Sequence, residues 1–503
     1  MESARPLLDA RTVLVAAVVF FISYWIFKRL FSKRINLPPG PPSLPLIGNL
    51  LAVGGRNPQH ALRDMASKYG DVFVIRFGSQ LVLILNSYEA VKEALVRNAD
   101  DYVDRPVVPV KIGTRDHGVV FANGPQWKFK RRLMLSYLRS FGMGKSVMER
   151  RIMEECTYLL QEFEKHDGVA FDPAQTVSNA VSNVICSILV GNRFDYSDSR
   201  FINCLASLES MFGLGKFYFG LEFMNSGTGW LCDRIFGKEN LRHNQAVYDV
   251  FGPIIEEHAE TYDSDNMRDF IDVFLCATKD MEKESSETYD EKGLPFKYYY
   301  VYCLILDMFA AGTETTSTTL MWAWLLMMKY PNIQHKVQEE LDHVVGKDRF
   351  PEMSDRPNLP YTEATITEVL RIASTVPLSV PRWTVNDTQL YGYDIPKDTM
   401  VWANIWSVLR EPKFWSNPET FDPSRFLDAS GTFSRSDVFI PFGIGPRICI
   451  GEQLAKMELF LVFTSVLQNY TLESDKKHPV PDLEGHVHLT LQPLTYHMRA
   501  VKR

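Results

Sequence analysis

Residues 441–451 read PFGIGPRICIG, and the interpretation of the rest of the chain depends on this stretch. Two glycines permit a tight backbone bend, and a single cysteine, Cys449, stands just before a segment with helical spacing. Amide groups of such a turn and the N-terminus of the next helix stabilise a thiolate. Gly451 leaves room for a flat group against the backbone, and Arg447 can pair with a carboxylate of that group. A structural loop with an incidental buried cysteine is the alternative interpretation.

The composition excludes several classes of protein. The chain has 503 residues, 46% hydrophobic and 23% charged, which is typical of a globular protein with ample apolar mass for a core. Its 54 basic and 61 acidic residues give a net charge of -7, which argues against a nucleic-acid-binding protein. Seven widely spaced cysteines without a CxxC pair argue against a disulfide framework or a zinc ribbon. A reducing compartment fits this cysteine content best.

The N-terminal segment predicts a membrane anchor. Residues 13–27 carry no charge, and a basic cluster lies at 28–34. Extended through Leu30 and Phe31, the apolar run can just cross a bilayer core of roughly 30 Å. A cleaved signal peptide is the alternative, but it would end in small residues where this run ends in Trp-Ile-Phe at 25–27. The positive charge after the run predicts that the rest of the chain lies in the cytosol.

The remainder of the chain predicts a mainly helical fold with a minor β part. The run DVFVIRFGSQLVLIL at 71–85 predicts a pair of strands, and most of 126–320 predicts amphipathic helices. A long apolar stretch at 297–330 predicts a buried helix of roughly thirty residues, which Pro331 ends. A further helix is predicted at 453–468.

Polar residues interrupt the long apolar helix. Residues 311–316 read AGTETT, and polar groups inside an apolar helix require a reason. Glycine with hydroxyl residues can loosen the hydrogen-bond ladder and leave a groove for a small ligand and water. A kink filled by satisfied hydroxyl groups is the alternative.

These motifs together resemble the cytochrome P450 superfamily. Residues 442–451 match its haem-thiolate signature F-x-x-G-x-x-x-C-x-G. EVLR at 368–371 and FDPSRF at 421–426 resemble its E-x-x-R and F-x-P-x-R-F motifs, and WKFKR at 127–131 resembles W-x-x-x-R. Longer stretches are similar to the animal microsomal family 2, most of all to its U subfamily, whose members hydroxylate long-chain fatty acids near the methyl end.

The resemblance implies a cytochrome P450 fold, mainly α with a minor β part, preceded by a single N-terminal transmembrane helix. We expect a membrane anchor with its basic flank at 1–34, a stiff proline-rich hinge at 35–48 and the haem-thiolate catalytic domain at 49–503. The expected location is the endoplasmic reticulum membrane with the catalytic domain in the cytosol. A mitochondrial membrane is the alternative, but a basic hinge without an amphipathic transit peptide favours the reticulum.

The resemblance also implies haem b with the Cys449 thiolate as the axial ligand of its iron. The expected haem contacts are Trp127, Arg131, Ala311, Arg382, Phe442, Arg447 and Gly451. Arg382 stands where related enzymes usually have a histidine that faces a haem propionate, and arginine can serve in that pairing. Glu368, Arg371 and Arg425 are expected to form a buried ion network around the cysteine loop. An exposed pair three residues apart on a helix is the alternative for the first two.

The implied reaction is a monooxygenation. One atom of O2 enters a C–H bond of a lipophilic molecule and the other becomes water, with electrons from NADPH through cytochrome P450 reductase. Cytochrome b5 is a further candidate electron donor. In the family an acid–alcohol pair, matched here by Glu314 and Thr315, relays the protons. The basic helix resembles the docking surface for the reductase, and a solvated face is its alternative. Its basic residues are Lys128, Lys130, Arg131, Arg132 and Arg139.

Long-chain (arachidonate-type) fatty acid hydroxylation is the expected activity, with steroid or xenobiotic hydroxylation as the alternative. The expected substrate pocket is apolar, although a plain core is the alternative for each member: Phe212, Phe219, Phe309, Ala310, Val376 and Leu378. Arg105, Lys111 and Arg115 are candidates for binding a fatty-acid carboxylate at the pocket mouth, with a solvated loop as the alternative for each. A peroxide-rearranging enzyme and a haem-thiolate gas or redox sensor are alternatives from other classes. The acid–alcohol pair argues against the former, and the match of the catalytic domain to nearly the whole chain argues against the latter.

Overall fold

The computed structural model describes most of the chain. The described residues are 35–55, 57–106, 117–140, 146–222, 229–281 and 296–503, with Val19 and Ser23. Side chains at 214–222, 229–233, 235–241, 278–281 and 296–297 are not described. The predicted anchor at 13–27 therefore lies outside the described residues, except for Val19 and Ser23. Among the described residues, no helix combines the length and apolar character needed to span a membrane.

Fourteen α-helices are defined in the described residues. They are α1 (Leu50–Val53), α2 (Pro58–Tyr69), α3 (Tyr88–Lys92), α4 (Gly124–Ser140), α5 (Ser146–Glu164), α6 (Ala174–Leu189), α7 (Ser199–Glu222), α8 (Gly229–Glu260), α9 (Phe270–Met281), α10 (Phe296–Lys329), α11 (Pro331–Val344), α12 (Pro360–Ala373), α13 (Ile405–Val408) and α14 (Glu452–Asn469). Short π or 3-10 turns lie at Glu93–Arg97, Ala99–Tyr102, Arg356–Asn358 and Pro423–Phe426.

Ten short strands complete the described part of the chain. They are β1 (Val72–Phe77), β2 (Gln80–Leu85), β3 (Arg382–Trp383), β4 (Thr388–Leu390), β5 (Tyr393–Ile395), β6 (Met400–Ala403), β7 (Tyr470–Glu473), β8 (His486–Val487), β9 (Leu491–Gln492) and β10 (Arg499–Lys502). The largest sheet has the order β1-β2-β6-β3, with β1 and β2 antiparallel and β2 and β6 parallel. The predicted mainly α fold with a minor β part is therefore confirmed.

Helix α10 is the centre of the fold. It is apolar over most of its length, and it packs against α6, α8, α9, α12 and α14. Its bounds differ from the predicted 297–330 by one residue at each end, and Pro331 starts the next helix at its first position, where a proline is tolerated. A Cβ atom at Gly312 would lie 2.7 Å from the Ile185 side chain, so glycine allows the close packing of α10 on α6 and a larger residue would displace Ile185.

A buried histidine joins the end of α8 to the start of α9. The Nε2 of His258 lies 2.8 Å from a carboxylate oxygen of Asp269, and its Nδ1 lies 2.7 Å from the carbonyl oxygen of Ile254. Both ring nitrogens therefore face acceptors, so the protonated ring satisfies both contacts. Burial lowers the pKa of His258, but the Asp269 carboxylate and the Ile254 carbonyl together raise it above its ordinary value.

We expect this pair to make stability depend on pH. Because the pKa of His258 is raised in the folded state, its contribution is fully present below the unfolded value of 6.5 and is lost as the pH rises through the folded value. The free energy of unfolding of the wild type minus that of His258→Gln should therefore shrink with rising pH. Denaturant unfolding at several pH values measures this difference. His478→Gln, which removes a half-exposed histidine–carboxylate pair, is the control. A difference that grew with pH would contradict the assignment.

Candidate active site

The cysteine loop, residues 441–451, is shaped by its glycines. Gly443 and Gly445 both adopt left-handed backbone angles, at φ +77 and +79. The amide of Cys449 donates a hydrogen bond to the carbonyl of Phe442, at 3.0 Å, which closes the loop. A Cβ atom at position 445 would lie only 2.0 Å from the carbonyl oxygen of Leu95. The cysteine loop therefore packs directly against the Glu93–Arg97 turn, and only glycine fits at the contact.

Cys449 lies at the end of this loop, directly before α14. Of the cysteines whose side chains the structure describes, it alone is exposed, although many protein atoms surround its thiol. Burial raises the pKa of Cys449, while the Gly451 amide and the Arg131 guanidinium act in the opposite direction. The expectation that the turn itself stabilises the thiolate is thus only partly met. The charge of a bound metal ion would supply the remaining stabilisation of the thiolate, because coordination deprotonates a thiol.

Four arginines converge beside the loop, and we call Arg105, Arg131, Arg382 and Arg447 the arginine cluster. Arg131 donates to the carbonyl of Ile448, next to the cysteine, at 2.7 Å. The sequence predicted three of the four as haem contacts. It offered Arg105 only as a candidate for a fatty-acid carboxylate.

Arg447 and Arg105 are fixed by backbone carbonyls. Arg447 donates from Nε to the carbonyl of Val103, at 2.9 Å, and its guanidinium lies 3.8 Å from the ring centre of Trp127. Arg105 is 6% exposed and donates to the carbonyls of Val380 and Pro381, at 2.5 and 2.7 Å. Arg105 therefore belongs to the arginine cluster and not to the mouth of a substrate pocket.

The arginine cluster carries positive charge that no ion pair in the described residues neutralises, although the Asp104 carboxylate partly offsets the charge of Arg447. Burial, reinforced by neighbouring guanidinium groups, lowers the pKa of Arg382 and of Arg447 to about 9 and that of Arg105 well below its ordinary value. None of the four forms an ion pair with a carboxylate in the described ranges, and the Nε of Arg382 is buried without a partner there. Such a cluster needs an anion, because buried cations are costly unless paired. Beside an exposed thiol, this donor set fits the two carboxylates of a haem.

Helix α10 presents Ala311 and Thr315 on an accessible face. Ala311 is exposed in the middle of this otherwise buried helix, and Thr315 is partly exposed. The Thr315 hydroxyl donates to the carbonyl of Ala311, at 2.7 Å. The helix is continuous through this stretch, so the predicted loosening takes the form of hydroxyls that bond back one turn. Glu314 is buried and accepts hydrogen bonds from Thr490 and Gln492, which the sequence did not identify.

The structure brings Glu368, Arg371 and Arg425 together. Arg371 binds the Glu368 carboxylate through two hydrogen bonds of 2.7 and 2.8 Å, and both side chains are fully buried. The Nε of Arg425 lies 3.4 Å from the same carboxylate. The amide of Asp422 also donates to it, at 2.9 Å. The arrangement ties α12 to the segment that precedes the cysteine loop.

The predicted pocket residues differ in how far they are exposed. Three are partly exposed apolar side chains: Phe212, Ala310 and Val376. Phe309 is instead fully buried, and its ring packs edge-on against Phe251, with centres 4.8 Å apart, so it is a core residue. Leu378 is only partly buried and packs against the core of the β1–β2 sheet. The side chain of Phe219 lies outside the described residues.

The basic helix α4 presents fewer cations than the sequence suggests. Lys130 is 1% exposed, donates to the carbonyl of His117 at 3.0 Å, and lies 4.6 Å from the ring centre of Tyr300. Because its side chain is buried, Lys130 does not contribute to the exposed basic surface of α4. The exposed basic residues of α4 are Lys128, Arg132 and Arg139.

Comparisons with known proteins agree with this site. A family model described as Cytochrome P450 matches residues 38–500. The chain is 40% identical to Cytochrome P450 2U1 of Rattus norvegicus, over 93% of this chain and 91% of that protein. It is 39% identical to Cytochrome P450 2U1 of Homo sapiens, over 95% and 91%, and 41% identical to Cytochrome P450 2B2 of Rattus norvegicus, over 88% and 89%. The chain belongs to the cytochrome P450 family, whose members are monooxygenases that bind haem through a cysteine thiolate.

Proposed function

We propose that this chain hydroxylates a lipophilic substrate, with Cys449 as the axial thiolate ligand of haem b. The observation that carries the proposal is an exposed thiol beside a largely buried cluster of guanidinium groups that form no ion pair in the described residues, with the Nε of Arg382 unpartnered there. A haem offers both missing partners, an iron ion for the sulfur and two carboxylates for the arginines. When bound, it supplies the chemistry that activates dioxygen.

The arginine cluster would hold the carboxylates of that haem. Arg382 has an unpartnered Nε, and Arg447 is kept in place by the Val103 carbonyl and the Trp127 ring. Arg105 and Arg131 add positive charge from either side. The Phe442 carbonyl accepts from the Cys449 amide, and apart from the chain neighbours of Gly451 no described atom lies within 4 Å of a Cβ built on it. These features support the expected role of Gly451 in leaving room beside the cysteine.

Glu314 and Thr315 would manage the protons. Thr315 is partly exposed next to Ala311, so its Oγ1 can hold a proton at the accessible face of α10. Glu314 directly precedes Thr315, and its buried carboxylate is held by the neutral donors Thr490 and Gln492. Together they would pass solvent protons toward the reacting oxygen, where a positioned acid contributes roughly 10²- to 10⁴-fold in rate.

The proposed substrate is a long-chain fatty acid of the arachidonate type. The reaction inserts one oxygen atom of O2 into a C–H bond, and the other atom leaves as water with two electrons from NADPH and two protons. The partly exposed Phe212, Ala310 and Val376 support a lipophilic ligand. The similarity to relatives named Cytochrome P450 2U1 agrees with the resemblance to the U subfamily, from which the fatty acid is inferred. The similar identity to a 2B2 relative keeps steroid or xenobiotic hydroxylation as the second candidate.

The electron donor in this proposal is NADPH–cytochrome P450 reductase, with cytochrome b5 as a further donor. The exposed cations Lys128, Arg132 and Arg139 of α4 support an acidic partner, whose docking would weaken with added salt. We place the catalytic domain, 49–503, on the cytosolic side of the endoplasmic reticulum. The anchor at 1–34 and the hinge at 35–48 would tie it there.

Turnover in a reconstituted system tests the proposal. The full chain is mixed with reductase, NADPH and O2 in lipid vesicles, and products from arachidonate, a steroid and a model xenobiotic are measured by mass spectrometry. We expect hydroxylated fatty acid that disappears when the reductase is omitted. Product from the steroid or xenobiotic alone would replace the substrate assignment. Reductase-independent conversion of a lipid peroxide, or no turnover with any substrate, would contradict the monooxygenase role.

Thr315→Val should uncouple NADPH oxidation from hydroxylation. The substitution keeps the shape of the side chain but removes the hydroxyl, so product formed per NADPH should fall by on the order of tenfold while hydrogen peroxide rises. Product and peroxide are measured together with NADPH consumption. Thr315→Ser, which restores the hydroxyl, should recover coupling. Unchanged coupling in Thr315→Val would remove its role in proton delivery.

A further inference from the structure

The carboxylate of Glu314 is held from the opposite end of the chain. Its Oε1 accepts from the hydroxyl of Thr490, at 2.6 Å, and from the side-chain amide of Gln492, at 2.8 Å. The hydroxyl of Thr318, one turn along α10, lies 3.4 Å from the same oxygen. All three donors are neutral. In the described part of the chain no lysine, arginine or histidine forms an ion pair with Glu314.

All of these contacts converge on one oxygen atom. A carboxylate offers about four acceptor positions on two oxygens, so the two short bonds from Thr490 and Gln492 fill those of Oε1 and fix the orientation of the group, with Thr318 as a longer third contact. The other oxygen, Oε2, accepts no hydrogen bond from the described residues. The group is therefore held firmly at one oxygen and left open at the other, which suits an acid that has to take up and release a proton. Neutral donors leave its charge uncompensated by any fixed cation.

The hairpin that supplies the donors is itself docked on α10. We call residues 486–492 the C-terminal hairpin, in which β8 and β9 pair antiparallel. The indole of Trp322 donates to the carbonyl of Leu491, at 2.8 Å, and the amide of Leu491 donates to the carbonyl of Thr375, also at 2.8 Å. Trp322 is 1% exposed, so this attachment lies inside the protein.

The contacts of the C-terminal hairpin with Trp322 and with Glu314 lie on one face of α10. Glu314, Thr318 and Trp322 follow one another at intervals of four residues, which places them in a single stripe along the helix. The hairpin binds this stripe at both ends, through Trp322 and through Glu314. Because the hairpin is fixed to α10 at Trp322, its donors hold the Glu314 carboxylate in one orientation. The carboxylate then loses little conformational freedom when it reacts, as a positioned acid requires.

We propose that Thr490 and Gln492 are positioning residues that orient the Glu314 carboxylate for proton delivery. This inference rests on the proposed function, in which Glu314 supplies protons through Thr315. Neither residue has to touch substrate or haem in this role. The Thr490 hydroxyl and the Gln492 amide act only by orienting the Glu314 carboxylate. The C-terminal hairpin holds both donors in place beside α10.

Substitutions that remove the donors test this. We expect Thr490→Val and Gln492→Leu each to raise the ratio of hydrogen peroxide to hydroxylated product by on the order of tenfold, since hydrogen bonds to a charged group are the stronger ones. Thr490→Ser should restore the wild-type ratio. Thr464→Val is the matched control, because it removes a buried hydroxyl that bonds only to carbonyls within α14. The reduced carbon monoxide spectrum and the substrate dissociation constant report whether each variant is folded.

A double-mutant cycle separates positioning from a merely structural role. In a Glu314→Gln background, Thr490→Val should have no further effect on the ratio, because the acid that Thr490 orients is already lost. Infrared difference spectra of the resting protein give a readout apart from turnover. The carboxyl band that disappears in Glu314→Gln should shift in Thr490→Val and return in Thr490→Ser.

The outcomes distinguish this inference from the proposed function. If Glu314→Gln itself leaves coupling unchanged, the proton role of Glu314 fails and the proposed function loses that step. If Glu314→Gln uncouples the reaction but Thr490→Val and Gln492→Leu do not, the positioning role is overturned and the proposed function stands. Additive effects in the cycle, or an unshifted infrared band, would also overturn it.

Discussion

Arg371→Leu should destabilise the fold by about 3–5 kcal/mol, the range for removing one partner of a buried ion pair. The substitution leaves the fully buried Glu368 carboxylate without its main partner, and it deprives the carbonyls of Leu409 and Pro418 of a donor. Denaturant unfolding followed by tryptophan fluorescence measures the change. Arg97→Leu is the control, because Arg97 forms a comparable pair with Glu93 at the surface and its loss should leave the unfolding midpoint unchanged.

The double variant Glu368→Leu with Arg371→Leu sharpens this test. Removing both charges avoids an uncompensated buried ion, so part of the lost stability should return. A loss below about 1 kcal/mol in the single variant would match an exposed pair and would contradict a buried network. That network spans α12 and the segment before the cysteine loop, so haem content should fall together with stability.

Gly445→Ala should displace the cysteine loop and lower haem content to about a tenth or less of that of the wild type. A Cβ atom there would lie 2.0 Å from the Leu95 carbonyl, and the left-handed backbone angle adds about 1–3 kcal/mol of strain for alanine. Haem per protein is measured from the absorbance of the bound group and from total protein. The backbone and not a flexible side chain blocks the added carbon, so the loop itself must move.

Gly431→Ala separates the clash from the backbone strain. Gly431 has nearly the same angle, φ +80, but nothing lies within 4 Å of a Cβ atom built there. We expect this control to retain its haem. Wild-type haem content in Gly445→Ala would mean that the loop does not lean on Leu95 as the structure has it.

The elements that follow from local pattern were predicted well from the sequence. The apolar stretch that ends at Pro331 is α10, and the two β-rich runs are β1 and β2, because periodicity and helix-breaking residues act over a few neighbours. The contacts within motifs of fixed spacing can also be predicted from the sequence. Glu368 and Arg371 lie one helical turn apart, so their contact is determined by α12 once that helix forms.

The residues whose surroundings were not predicted from the sequence make contacts between distant parts of the chain. Arg105 reaches carbonyls 275 and 276 residues away, and Thr490 reaches Glu314 across 176 residues. No local pattern distinguishes such an arginine or threonine from a solvated one. Lys130 and Phe309 are similar cases, because burial against His117 and against Phe251 is decided by helix packing and not by residue type.

The reduced carbon monoxide difference spectrum of the purified full chain tests the central claim most directly. Thiolate ligation of haem gives this complex a characteristic long-wavelength Soret band, so the wild type should show that band and Cys449→Ala should lose it. Cys156→Ala, which removes a buried thiol of α5, should keep it. A wild-type protein without the band, or a Cys449→Ala variant that retains it, would contradict the assignment of Cys449 as the ligand of the haem iron.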